Sequence, residues 1–112
     1  MKYNPDRWML LEIESPEGKK FLKVFATCAG GYTGGDSWRI NSGVDKVVDN
    51  EDKWDFIGAS GSCYSCFKGG YGVAGAYNYG VLDSFKKQVG DRLKILSEEE
   101  AINTIKDMLD DA

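Results

Sequence analysis

Between residues 8 and 28 the chain alternates twice, and one compact turn separates the two runs. From 8 to 14, Met9, Leu11 and Ile13 fall on one side while Glu12 and Glu14 fall on the other. That period of two is the signature of a strand with one buried face. From 21 to 28, Leu22, Val24, Ala26 and Cys28 share one face, and Phe21 and Phe25 take the other. Between the runs stands Ser15-Pro16-Glu17-Gly18. Proline presets its own backbone angle and glycine accepts a positive φ, so this tetrapeptide turns the chain back on itself. The expected product is an antiparallel hairpin. Phe21 and Phe25 imply that both faces of its sheet are partly covered.

The alternation continues. Trp38, Ile40, Ser42 and Val44 follow the same period, with Gly43 read as a bulge and residues 44–48 as a continuation of the same edge. Asp49-Asn50-Glu51-Asp52 is a polar turn. Residues 53–57 and 62–67 are two more strands, joined by Gly58-Ala59-Ser60-Gly61. The composition then changes. Val81, Leu82, Phe85 and Val89 recur at helical spacing, and Gly90 stands where a helix ends. Residues 93–96 read as a short last strand. Ser97 and Glu100 form a capping box, Glu98 and Glu99 suit the positive end of the helix dipole, and Ala101, Ile102, Ile105, Met108 and Leu109 make an apolar stripe. The fold class is therefore α+β. A curved antiparallel sheet of about five strands, with closure into a small barrel as the alternative, carries one or two C-terminal helices packed on it.

With 112 residues the chain is one domain large enough to bury a core. A net charge of −4 argues against a binder of nucleic-acid backbones, which usually presents a basic face. The lysine clusters Lys19, Lys20, Lys23 and Lys86, Lys87, Arg92, Lys94 read as solvated edges. The apolar run from 8 to 13 is too short for a signal peptide and is broken by Glu12, and no stretch is long enough to span a bilayer. The expected compartment is therefore a cytoplasm, and three cysteines, an odd number, fit reduced thiols better than a disulfide framework.

The chemistry-bearing motifs are few. Cys63-Tyr64-Ser65-Cys66 has C-x-x-C spacing but falls in a strand, where residues three apart point to opposite faces. A zinc site needs about four ligands, and the chain has no histidine and only Cys28 besides this pair. The lack of histidine also removes the usual general base near neutral pH. Asp49 to Asp55 resembles a calcium loop only loosely, without its central glycine. Residues 58–62 lack the lysine of a P-loop, and residues 69–75 lack the strand–helix context of a dinucleotide fingerprint. No catalytic residue, metal or cofactor is assigned.

Two glycine-rich segments remain. One is Cys28-Ala29-Gly30-Gly31-Tyr32-Thr33-Gly34-Gly35-Asp36-Ser37-Trp38-Arg39-Ile40-Asn41, and the other is Gly69-Gly70-Tyr71-Gly72-Val73-Ala74-Gly75-Ala76-Tyr77. Tyr32, Trp38, Tyr64, Tyr71, Tyr77 and Tyr79 flank or follow these glycines. Such rings are either braces that hold glycine loops to a sheet or a contact surface, because tyrosine and tryptophan dominate interface hot spots. Tyr32, Asp36, Trp38, Arg39, Asn41, Tyr64 and Tyr71 form the candidate binding set, with Asp36 and Arg39 placed to pair or to orient a ligand. Exposed glycine amides can also nest an anion, and rings can stack on a base.

Several of these blocks resemble a group of small accessory proteins of tailed bacteriophages. They are Tyr3-Asn4-Pro5-Asp6-Arg7-Trp8, Lys23-Val24-Phe25-Ala26 with Gly30-Gly31-Tyr32, Asp36 through Gly43, and Gly61 through Cys66 with Tyr71-Gly72. The family pattern has a histidine after the second cysteine, where this chain has Phe67. The resemblance implies a non-enzymatic protein acting in an infected bacterial cell, by stoichiometric binding to a host or phage protein and in some cases against host defence. A nucleotide-like small ligand held between the glycine loops is the alternative.

Overall fold

The hairpin predicted from the two alternating runs forms, and the rest of the fold is assembled on it. The computed structural model describes residues 2–29 and 36–110. Strand β1 is Lys2–Tyr3, β2 is Arg7–Glu14, β3 is Lys20–Cys28, β4 is Ser37–Ile40, β5 is Val44–Asn50, β6 is Lys53–Gly58 and β7 is Cys63–Phe67. Helix α1 is Ala76–Val89, a 3-10 turn covers Gly90–Arg92, strand β8 is Leu93–Ile95 and helix α2 is Glu98–Asp110. Strands β2 and β3 pair antiparallel from Arg7 opposite Thr27 to Glu14 opposite Lys20. Their turn is closed by Gly18, at φ 87°, with its N–H donating to the Ser15 carbonyl.

The chain is α+β, with its strands divided between two four-stranded sheets that stay open. The inner sheet has the order β4–β3–β2–β8 and the outer sheet the order β1–β7–β6–β5. All pairings are antiparallel except β1 with β7. The expectation that β4 runs on into β5 along one edge is corrected. Asn41 ends the first strand. Its N–H donates to the Val24 carbonyl, and its buried Oδ1 accepts the Val24 N–H at 2.9 Å. Gly43, at φ 137°, then sends the chain into the other sheet. The bulge expected at Gly43 lies instead between Val44 and Lys46.

Strand β2 is buried on both faces rather than one. Trp8 and Leu10 point between the sheets, where they meet Val24 and Ala26 of β3, Trp54 and Phe56 of β6, and Tyr64 and Cys66 of β7. Leu11 points the other way with Phe25 and Leu93, and α1 covers them with Leu82, Val81, Phe85 and Val89. The molecule is thus layered as α1, inner sheet, outer sheet. Helix α2 closes the space between the sheets with Ala101 and Ile105, both fully buried. The capping box forms as read: the Glu100 N–H donates to Ser97 Oγ at 3.2 Å, and the Ser97 N–H donates to Glu100 Oε1 at 3.0 Å. Helix α1 starts at Ala76, earlier than its apolar periodicity announces, because Gly75 at φ 86° provides the entry.

Candidate functional site

The second glycine segment is built into the sheet. Trp8 and Tyr71 form an isolated parallel bridge. The Trp8 N–H donates to the Gly70 carbonyl, and the Gly72 N–H donates to the Trp8 carbonyl at 2.9 Å. Gly70 N–H donates to Phe67 O, and Ala74 N–H donates to Thr27 Oγ1. These amides are spent within the protein, so they do not form an anion nest.

Tyr71 is a brace. Its ring stands edge-on to Trp8, with centroids 4.9 Å apart. Its hydroxyl donates to the Leu96 carbonyl at 2.6 Å and accepts the Leu10 N–H at 3.1 Å. Burial pushes its pKa up to about 12. The rest of the candidate set is scattered. Tyr32 lies outside the described residues. Trp38 stacks on Phe25 and stands edge-on to Phe85, under α1. Arg39 lies over the Tyr3 ring at 4.6 Å, on the other face of β4. Tyr3 in turn meets buried Tyr64 edge-on. Asn41 is buried, and its Nδ2 has no partner among the described residues.

Asp36 and Arg39 do not pair with each other among the described residues. The Asp36 carboxylate sits against Gly75, so closely that a Cβ there would collide with it. It thereby places a negative charge at the positive end of α1, whose own first turn has no acidic residue.

Asn78 is the structural residue that sequence reasoning missed. It is fully buried, and its Nδ2 donates to Ala74 O at 2.7 Å and Ser37 O at 3.0 Å. It ties the start of α1 to the start of β4. An asparagine just inside a helix start, flanked by Tyr77 and Tyr79, was the available signal.

Those two tyrosines are the most solvent-exposed rings among the described residues, at 63% and 60% exposure. Tyr79 borders a groove of about 490 Å³ between α1 and the inner sheet. Met9, Val73, Leu82 and Ile95 give it an apolar floor, and Asp83 and Lys86 stand at its rim. Asp83 pairs with Lys87 at 3.0 Å, while the Lys86 ammonium is tied to the carbonyls of Gly90 and Leu93. The cavity lies within the roughly 300–1,000 Å³ range of sites that take small molecules or anchor side chains.

The thiols do not converge. Cys63 and Cys66 lie on opposite faces of β7, Cys28 is at the end of β3, and all three are free. Burial raises the Cys66 thiol pKa, and burial together with Asp55 raises that of Cys63. Among the described residues no group of three or more His, Cys, Asp or Glu could hold a metal ion. No helix among them is long and apolar enough to cross a membrane. Comparison with protein-family models, curated proteins and solved structures finds no match to this chain.

Proposed function

We propose that this chain is a non-enzymatic binding protein that captures a partner protein on the α1 side of the inner sheet. The observation that carries this reading is the apolar groove beneath Tyr79, bordered by a ring that is 60% exposed. Tyrosine at the edge of an apolar socket is a common anchor of protein interfaces, since it gives contact area at small entropic cost. The resemblance of the sequence blocks to phage accessory proteins supports a host or phage protein as the partner, inside an infected cell. The contact surface thereby shifts from Tyr71 and Tyr64, which brace the fold, to Tyr77 and Tyr79.

The test uses Tyr77→Ala and Tyr79→Ala, singly and together, as baits in lysate of a host bacterium. A hot-spot tyrosine contributes at least about 2 kcal/mol, or roughly thirtyfold in affinity. The expected result is a partner retained by the wild type and lost from the double variant, with an unchanged melting temperature. A partner held equally by both baits refutes the assignment of this face.

A further inference from the structure

One face of the outer sheet carries no second layer of the fold among the described residues, although Asp55 and Ser65 at its centre are buried. Cross-strand pairing lines up its outward side chains. Lys46, Ile57, Cys63 and Lys2 make one row, Val48, Asp55 and Ser65 the next, and Asn50, Lys53 and Phe67 the last. Two features set this face apart. Val48 and Phe67 are large apolar side chains left 41% and 44% exposed, with Asp55 and Lys53 on the strand between them and half-buried Ile57 one row beyond Asp55. The charge is also inverted relative to a chain of net charge −4. Lys2, Lys46 and Lys53 share the face with a single carboxylate, Asp55, which is only 9% exposed. That carboxylate accepts from Ser65 Oγ at 2.6 Å and Asn50 Nδ2 at 3.1 Å, and only Lys2 approaches it, at 3.7 Å. Neither Lys46 nor Lys53 has a carboxylate within ion-pair distance among the described residues. Lys53 lies over the Phe67 ring at 4.5 Å and donates to Asn4 Oδ1 at 3.2 Å.

We propose that this face docks an acidic amphipathic helix of a partner protein. The same molecule shows the packing mode, because α1 covers the far face of the inner sheet with an apolar stripe laid over Phe25, Leu11 and Leu93. A helix with its side chains is about 10–12 Å wide, and the step from β5 across β6 to β7 is about 10 Å. Val48 and Phe67, on the two outer strands of these three, therefore bound a strip about one helix wide, with Ile57 on its Lys46 side. Lys46 and Lys53 flank that strip, where carboxylates on the edges of the helix would meet them. Charge complementarity thus selects an acidic helix over a neutral or basic one. A single strand of nucleic acid fits less well, since such platforms combine a basic track with several stacking rings, and this face offers one ring, already beneath Lys53.

The probe is a displayed library of helical peptides randomised at their surface positions and selected on the intact protein. The expected binders combine Asp and Glu with Leu, Ile or Phe on adjacent faces. Their affinity should fall by about tenfold or more in Lys46→Glu with Lys53→Glu. It should weaken with added salt, and it should be unchanged in Tyr79→Ala, so that failure here and failure of the α1 face remain distinguishable. Lys46→Gln with Lys53→Gln should give a smaller loss, and repeats the test should charge reversal disturb folding. Recovery of no binder, of basic binders, or of binders indifferent to both lysine pairs overturns the proposal. Binding of labelled oligothymidylate that the same variants abolish overturns it in favour of nucleic acid.

Discussion

Removing one oxygen atom from Tyr71 should destabilise this protein measurably without touching the α1 face. Strands β2 and β8 pair with Leu11 opposite Ile95, and Leu10 would next face Leu96. The Leu96 N–H donates to the Leu10 carbonyl at 3.1 Å, as a ladder requires. The reciprocal bond is missing, because the Tyr71 hydroxyl stands between its ends. It accepts from Leu10 N–H and donates to Leu96 O. Tyr71→Phe therefore deletes two hydrogen bonds and leaves an amide and a carbonyl facing a gap. Each such bond is worth about 1 kcal/mol net, and an orphaned buried group costs about 1–3 kcal/mol. The expected loss is about 2 kcal/mol, since the site is only partly buried and water can recover some of it.

Tyr71→Ala should lose more. It also forfeits the edge-on contact with Trp8, worth about 0.5–1.5 kcal/mol, and opens a cavity between the sheets. Urea unfolding followed by tryptophan fluorescence would measure both variants, with the midpoint falling and the slope unchanged. Burial raises the Tyr71 pKa to about 12 in the folded state, above its ordinary value near 10. Its contribution is then fully present below about pH 10 and is lost as the pH rises through about 12. Stability of Tyr71→Phe should fall less steeply across that window. A Tyr71→Phe variant within about 0.5 kcal/mol of wild type, the scatter of neutral surface changes, would refute the relay.

Gly75→Ala should be strongly destabilising, because φ is 86° there and the new Cβ meets the Asp36 carboxylate. Adding Asp36→Ala should relieve the collision but not the backbone strain of about 1–3 kcal/mol, and full recovery in thermal melts would contradict this. Ile105→Ala should cost about 2–5 kcal/mol in urea melts, since the side chain is fully buried between the sheets. Lys94 and the Ser97 cap hold the Glu100 carboxyl at about 2, below its ordinary 4.5. The folded value is the lower one, so its stabilising effect is present above about 4.5 and disappears as pH falls through about 2. Acid titration of stability should accordingly be shallower in Glu100→Gln than in wild type, and identical acid limbs would refute the cap.

The hairpin, the β5–β6–β7 meander, the capping box and the apolar stripe of α2 were legible because each rests on local periodicity or turn chemistry. The division into two sheets was not. The switch from β4 to β5 depends on buried Asn41 bonding back to Val24, a contact across 17 positions that leaves no local trace. For the same reason β2 read as half-buried: alternation assigned Met9, Leu11 and Ile13 to the core, while the burial of Trp8 and Leu10 depends on a second sheet. The candidate set was drawn from aromatic and charged residues near glycine. That composition is shared by braces and contact surfaces, and only the partners of each ring distinguish them.

Those partners sort the tyrosines on a physical criterion. The Tyr71 hydroxyl is bonded to backbone on both sides, the Tyr3 hydroxyl meets Cys28 Sγ at 3.3 Å, and Tyr64 is buried between the sheets. Each is held by the fold at both ring and oxygen, or is enclosed by it. Tyr77 and Tyr79 leave most of their ring surface in water, where an exposed aromatic ring contributes little to folding. The residues that fix α1 in place (Gly75, Asn78 and Asp36) are different residues from these two, though they share the same first turn and its approach. Placing exposed rings directly after such an anchored start limits their backbone freedom, which lowers the entropy lost when a partner orders them. On the proposed reading, stability and binding are separable at this end of α1, with Asn78→Ala expected to lower the melting temperature and Tyr79→Ala to lower affinity alone.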